Sequence, residues 1–181
     1  ELDNVVNMLK AKNLLQESQG AQVVDLENYN LGTCLIQKSD GTSLYATRDI
    51  AAAIDRFNTY HFNKMIYVTA VQQKLHFQQF FKVIELLGYD FSKDLQHVYY
   101  GMFSLPNGKI ASRKGKQAVL VDLMDYSYNK ALDIIKDRNY DETKKQEIAN
   151  KIAFSALKFS ALKNERIKDT VFDIENAFSF E

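Results

Sequence analysis

Proline occurs once and glycine seven times in the 181 residues, too few to mark a flexible linker between domains. Without internal repeats or low-complexity stretches, the chain reads as continuous packed structure. Cysteine also occurs once, at Cys34, which excludes an internal disulfide framework and any cysteine-cluster metal site and leaves a buried structural thiol as the expectation. No apolar run approaches the roughly 20 residues needed to span a bilayer, and nothing resembles a secretory leader. The expected address is cytoplasmic, with no membrane partner.

Net charge is missing too, because 23 Lys+Arg balance 23 Asp+Glu. Residues 1–90 hold 8 cationic and 10 anionic side chains and residues 91–181 hold 15 and 13, so the halves lean by only two charges each and predict no polyanion partner in bulk. Any phosphate-binding argument rests on local clusters, and the one that stands out is Lys109, Arg113, Lys114 and Lys116. What is abundant is apolar: 46% of residues, enough for a real core.

Leu2, Val5, Val6 and Leu9 fall at helical spacing and predict a first helix that hands over to an extended stretch. Residues 21–26 and 33–45 read as strands, the second broken by a turn at Asp40-Gly41 and ending at Tyr45. Thr47 is the expected cap of the next helix, whose apolar stripe is Ile50, Ala53, Ile54 and Phe57, which puts Asp49 in its first turn. Residues 65–69 form a short β-prone run. A helix follows in which Phe77, Phe80, Phe81, Ile84 and Leu87 share a face, with Gly88 as its C-terminal stop. Another β-prone run, 97–103, leads into a polar loop over 104–117. Strand, helix, strand in this order suggests a right-handed parallel crossover of the kind found in doubly wound sheets. From Asp122 the pattern is helical, with Met124, Tyr128, Ala131, Leu132 and Ile135 lining one helix and Ile148, Ile152, Ala156 and Phe159 the next. The coarse architecture is an α/β half followed by a helical half.

Three stretches, KSDGTSLYATRDIAAAI (38–54), IYVTAVQQKLHFQQFFKVIELLGY (66–89) and GKIASRKGK (108–116), together resemble the arginyl-tRNA synthetases, a class I aminoacyl-tRNA synthetase family. The resemblance continues through residues 152–181 and so covers most of the chain. It implies the second half of a Rossmann-like catalytic domain, with residues 1–120 forming its partial α/β part and 121–181 a helical connection towards an anticodon-binding domain.

The resemblance also implies a pocket for L-arginine around Tyr45, Asp49 and Gln73. The chemistry fits, since a carboxylate takes a guanidinium through two parallel charge-assisted hydrogen bonds that lysine cannot mimic. Tyr45 offers an aromatic wall with a polar tip, and Gln73 an amide that both donates and accepts. Taken without the resemblance, an Asp near a helix start is a dipole partner and a Tyr ending a strand is packing. His76, opening the helix after Gln73, is a candidate ATP contact, and a satisfied polar residue at a helix start is its plain alternative. His61 and His97 have no ligands at metal spacing and read as structural, so no metal site is expected beyond Mg2+ arriving with ATP.

Class I synthetases carry a mobile Lys-Met-Ser-Lys-Ser loop whose cations stabilise charge on ATP. Here the matching stretch keeps the first lysine as Lys109 but has Ser112 where the second would be. Lys109, Arg113 and Lys114 are the catalytic candidates, and Lys109 and Ser112 join His76 as candidate ATP-binding residues. Alone, such a cationic loop would be ordinary solvated surface. The other signature, a His-Ile-Gly-His-type stretch, appears nowhere, so the expectation is a fragment of an arginine–tRNA ligase. Its parent would activate arginine with ATP and pass it to tRNA, and the fragment would be inactive by itself. The alternative is a stand-alone arginine- or tRNA-binding module without catalysis. The oligomeric state stays open, with self-association expected if the missing half leaves apolar surface exposed.

Overall fold

The structure, a computed structural model, describes residues 2–105, 108–109 and 120–171. Its contacts divide the chain into two compact units, Glu1–Tyr99 and Tyr100–Glu181.

In the first unit α1 (Leu2–Ala11) buries Val5, Val6 and Leu9, with Asp3 in its first turn and Lys10 in its last, both matched to the helix dipole. The chain then runs through an antiparallel sheet of β1 (Leu15–Ser18), β2 (Ala21–Asp25) and β3 (Thr33–Gln37). Val24 of the central strand stands opposite Leu15 on one side and Cys34 on the other. Cys34 is buried as expected, and that burial pushes its thiol up to about 11, which keeps it protonated near neutral pH.

The expected turn forms at Gly41, whose φ of +81° suits glycine, and the Asp40 carboxylate accepts from Thr42 N–H at 2.8 Å. The second arm of the hairpin, however, shrinks to one bridge, Gln37 with Ser43. The chain is already helical at Tyr45, where α2 (Tyr45–Tyr60) begins. Tyr45 therefore opens a helix instead of ending a strand. Leu44 occupies the N-cap position without a side-chain bond, and Thr47 is fully buried in the first turn, where its hydroxyl donates to the Ile36 carbonyl. That bond ties α2 to β3, a tertiary use of a residue expected to cap. Asp49 consequently falls in the second turn.

Next, β4 (Met65–Ala70) passes through a 3-10 turn, Val71–Gln73, into α3 (Lys74–Leu86), and β4 is hydrogen-bonded to β5 (Leu95–Tyr100). Gly88 stops α3 as expected: at φ +91° its N–H bonds to Glu85 O at 2.9 Å and the Tyr89 N–H to Ile84 O at 3.3 Å, the two-bond closure of a Schellman cap. Phe80, Val83 and Ile84 are fully buried, joining Leu9, Leu26, Ile36 and Ile50 in one core.

The second unit contains β6 (Phe103–Leu105), β7 (Gly108–Lys109), α4 (Leu120–Ile135), α5 (Glu142–Leu162) and β8 (Thr170–Val171). The run expected as one strand over 97–103 is thus split between β5 and β6. β6 pairs antiparallel with β7 and parallel with β8, Phe103 facing Thr170. Gly101 permits this closure, because a Cβ there would collide with the Lys168 and Asp169 backbone. Between α4 and α5 the seam is Ala131, Ile135, Ala149, Ala153 and Ala156. The buried stripe of α5 is Ala149, Ala153, Ala156 and Ser160, while Phe159, expected to line the seam, is 69% exposed. Small side chains let two helices approach closely, and a phenyl ring at that position would hold them apart.

Candidate functional site

Asp49 and Tyr45 lie one turn apart on α2 and so share a face of it. Across from Asp49, α3 carries His76 as its third residue, delivered there by β4 and the short 3-10 turn that ends at Gln73. The two side chains meet: His76 Nε2 is 2.7 Å from Asp49 Oδ2, with 27% of the His76 side chain and 35% of the Asp49 side chain exposed. A carboxylate accepts, so the imidazole proton of this bond sits on Nε2. The imidazole lies roughly parallel to the Phe80 ring at 6.4 Å and edge-on to Phe77 at 5.2 Å. Because Phe80 is fully buried, the core itself orients the histidine. The first turn of α3 also presents the positive end of that helix's dipole, which favours the Asp49 charge.

Tyr45 is 77% exposed and Gln73 is also exposed. Neither is hydrogen-bonded to the Asp49–His76 pair among the described residues. The structure therefore brings two of the expected site residues into contact, leaves Tyr45 and Gln73 on the flanking turns, and describes Lys109 by its main chain alone, paired with Ser104 in β7. Ser112, Arg113 and Lys114 lie outside the described residues.

One neighbour was not foreseen. Tyr67 points inward from β4, its ring against Phe77, Phe80 and Phe81, and among the described residues no partner lies in good hydrogen-bond geometry with its buried hydroxyl. Burial pushes its phenol up to about 12, with the Arg56 charge opposing and the Asp49 charge adding to the rise. The signal was present in the alternation of β4: Ile66 and Val68 are exposed, which turns Tyr67 to the other face. His97 bonds Thr69 at 2.8 Å and stacks on Phe77, while His61 adopts a left-handed conformation that ends α2. A cleft of 580 Å3 lies on the opposite side of α3, against Phe81, Lys82 and Glu85, and includes none of the pocket candidates. Among the described residues no group of three or more His, Cys, Asp or Glu is placed to hold a metal ion, and no helix is long and apolar enough to cross a membrane.

Residues 1–174 match the family described as tRNA synthetases class I (R), catalytic domain. The chain belongs to the arginyl-tRNA synthetase family. Curated relatives named arginine–tRNA ligase agree: the protein of Alkaliphilus metalliredigens is 47% identical over the whole chain, and that of Halothermothrix orenii 48% identical over 99% of it. The chain spans only 32% of the length of each. Among solved structures, the arginyl-tRNA synthetase of Plasmodium falciparum superposes on 97% of the chain with a TM-score of 0.79 at 26% identity, covering 30% of that protein. The Thermus thermophilus enzyme, at 20% identity, matches in fold, with a TM-score of 0.78 over 99% of the chain and 36% of its own. The mixed α/β architecture is thus that of an arginyl-tRNA synthetase class I catalytic domain.

Proposed function

We propose that this chain works as part of a longer arginine–tRNA ligase, in which it supplies the guanidinium-binding wall of the arginine pocket and the phosphate-side loop of the ATP site. The observation that carries the reading is the Asp49 carboxylate. It is partly exposed and fixed between α2 and α3, with Tyr45 one turn away on the same face. A carboxylate so held suits the two N–H groups of a guanidinium, and Tyr45 and Gln73 flank it.

In the activation step the arginine carboxylate attacks the ATP α-phosphorus, pyrophosphate leaves, and arginyl-adenylate forms. The arginyl group then passes to the 3′ end of the tRNA. No side chain is required as a nucleophile, so the protein contributes position and charge. Lys109, Arg113 and Lys114 are the residues assigned to the phosphates, with Ser112 beside them, and ATP is taken as its Mg2+ complex. Residues 1–120 form the catalytic part and 121–181 the helical connection, in a cytoplasmic enzyme. Ile66 and Val68, exposed by more than half on the same face of β4, support a sheet face covered by further chain in the longer enzyme.

The test is arginine-dependent ATP–pyrophosphate exchange by the complete enzyme. Asp49→Ala is expected to raise the KM for arginine roughly ten- to a hundredfold, the effect of losing a hydrogen bond between charged groups. An unchanged arginine KM removes Asp49 from the pocket. The 181 residues alone are expected to show no exchange, and robust exchange by them would overturn the partial-site reading.

A further inference from the structure

The Asp49–His76 bond spans two helices, and its residues are 27 positions apart in sequence. From its geometry we infer that His76 is a positioning residue for the substrate guanidinium, acting through Asp49 and not through ATP. This deepens the arginine-pocket reading and rests on it.

The Nε2–H is committed to Asp49 Oδ2 at 2.7 Å. The ring cannot turn to offer it elsewhere without leaving its place beside Phe80 and Phe77. A lone aspartate in the second turn of α2 samples several rotamers; the bond to Oδ2 selects one. Oδ1 takes no hydrogen bond from the described residues, and Oδ2 keeps a lone pair, so the carboxylate still offers two acceptors side by side. That is the pattern a guanidinium reads bidentately and an ammonium does not. Because the bond joins α2 to α3, it also sets how Tyr45, one turn before Asp49, and Gln73, one turn before His76, flank the carboxylate. The hydrogen bond therefore selects for arginine by holding its receptor in the geometry that two parallel N–H donors require.

The experiment compares H76A, H76Q, H76N, D49A and the D49A/H76A double variant in the complete enzyme, measuring KM for arginine, KM for ATP and kcat in the exchange reaction. H76A is expected to raise the arginine KM about tenfold while the KM for ATP stays within about twofold. Gln carries its amide nitrogen where the imidazole has Nε2 and is expected to restore most of the loss; Asn is too short and is expected to behave like Ala. In the D49A background, H76A should add little, because the partner it positions is gone. A rise in the KM for ATP, equal behaviour of H76Q and H76N, or full additivity with D49A overturns the inference. If H76A does not fold, the contrast between H76Q and H76N decides. A silent H76A beside a damaging D49A sinks the positioning role alone, whereas a silent D49A sinks the arginine-pocket reading itself.

Discussion

In Glu1–Tyr99 the buried positions are filled by large side chains such as Leu9, Leu26, Ile36, Ile50, Phe80 and Ile84, whereas the helix seam of Tyr100–Glu181 is built around Ala131, Ala149, Ala153 and Ala156. The first unit must fill the space between helices and a twisted sheet, which takes branched and aromatic volume. The second brings α4 and α5 together through small residues and leaves its own large ones, Phe154, Phe159 and Leu162, exposed. The contrast bears on function. Phe80 and Phe77 reach from the packed core to the His76 imidazole, so the Asp49–His76 pair inherits the rigidity of that core.

The contrast breaks most easily at Phe80. Phe80→Ala is expected to cost about 3–5 kcal/mol, the range for emptying a fully buried aromatic site, in chemical denaturation. A loss below about 1 kcal/mol would mean that the core around α3 collapses into the space, against the large-residue packing described.

Ala153 tests the opposite unit. Ala153→Leu adds volume to a seam with no room and is expected to cost about 1–3 kcal/mol by the same measurement. A neutral or stabilising result would show the seam to be loose.

Asp141→Ala sharpens the comparison further. The Asp141 carboxylate accepts from Lys144 N–H at 2.8 Å and caps α5, and its loss is expected to cost about 1 kcal/mol and to fray that helix; unchanged helicity by circular dichroism would contradict this.

Smallest of all, Phe159→Ser is expected to shift stability within about 0.5 kcal/mol. A penalty of a buried phenylalanine would place this ring in the seam after all.

Much of the fold was legible because it rests on local rules. Val5, Val6 and Leu9 mark one face of α1, and the phenylalanines of α3 mark another. Gly88 announces a helix stop because few other residues adopt its backbone angles without cost. Thr47 was misread for an instructive reason: a threonine near a helix start satisfies the cap pattern, and only the arrival of β3 offers its hydroxyl the Ile36 carbonyl instead. Phe159 was misread because periodicity counts apolar residues and not their size, so an alanine stripe one residue away looks weaker than it packs. Of the candidate site, Tyr45, Asp49, Gln73 and His76 could be named from their motifs, but not the bond between two of them, nor Tyr67, whose inward turn depends on which face of β4 is covered.

The order of strands and helices, their apolar faces, the Gly88 stop and membership of the synthetase family were determined by the sequence itself, since each follows from periodicity, backbone preference or motif within a short window. The parallel meeting of β6 with β8 through Phe103 and Thr170, the alanine seam, and the contact of His76 with Asp49 were decided by the tertiary structure alone. Each joins residues far apart in the chain, and a long-range contact costs loop entropy that only the packing of the elements between them repays.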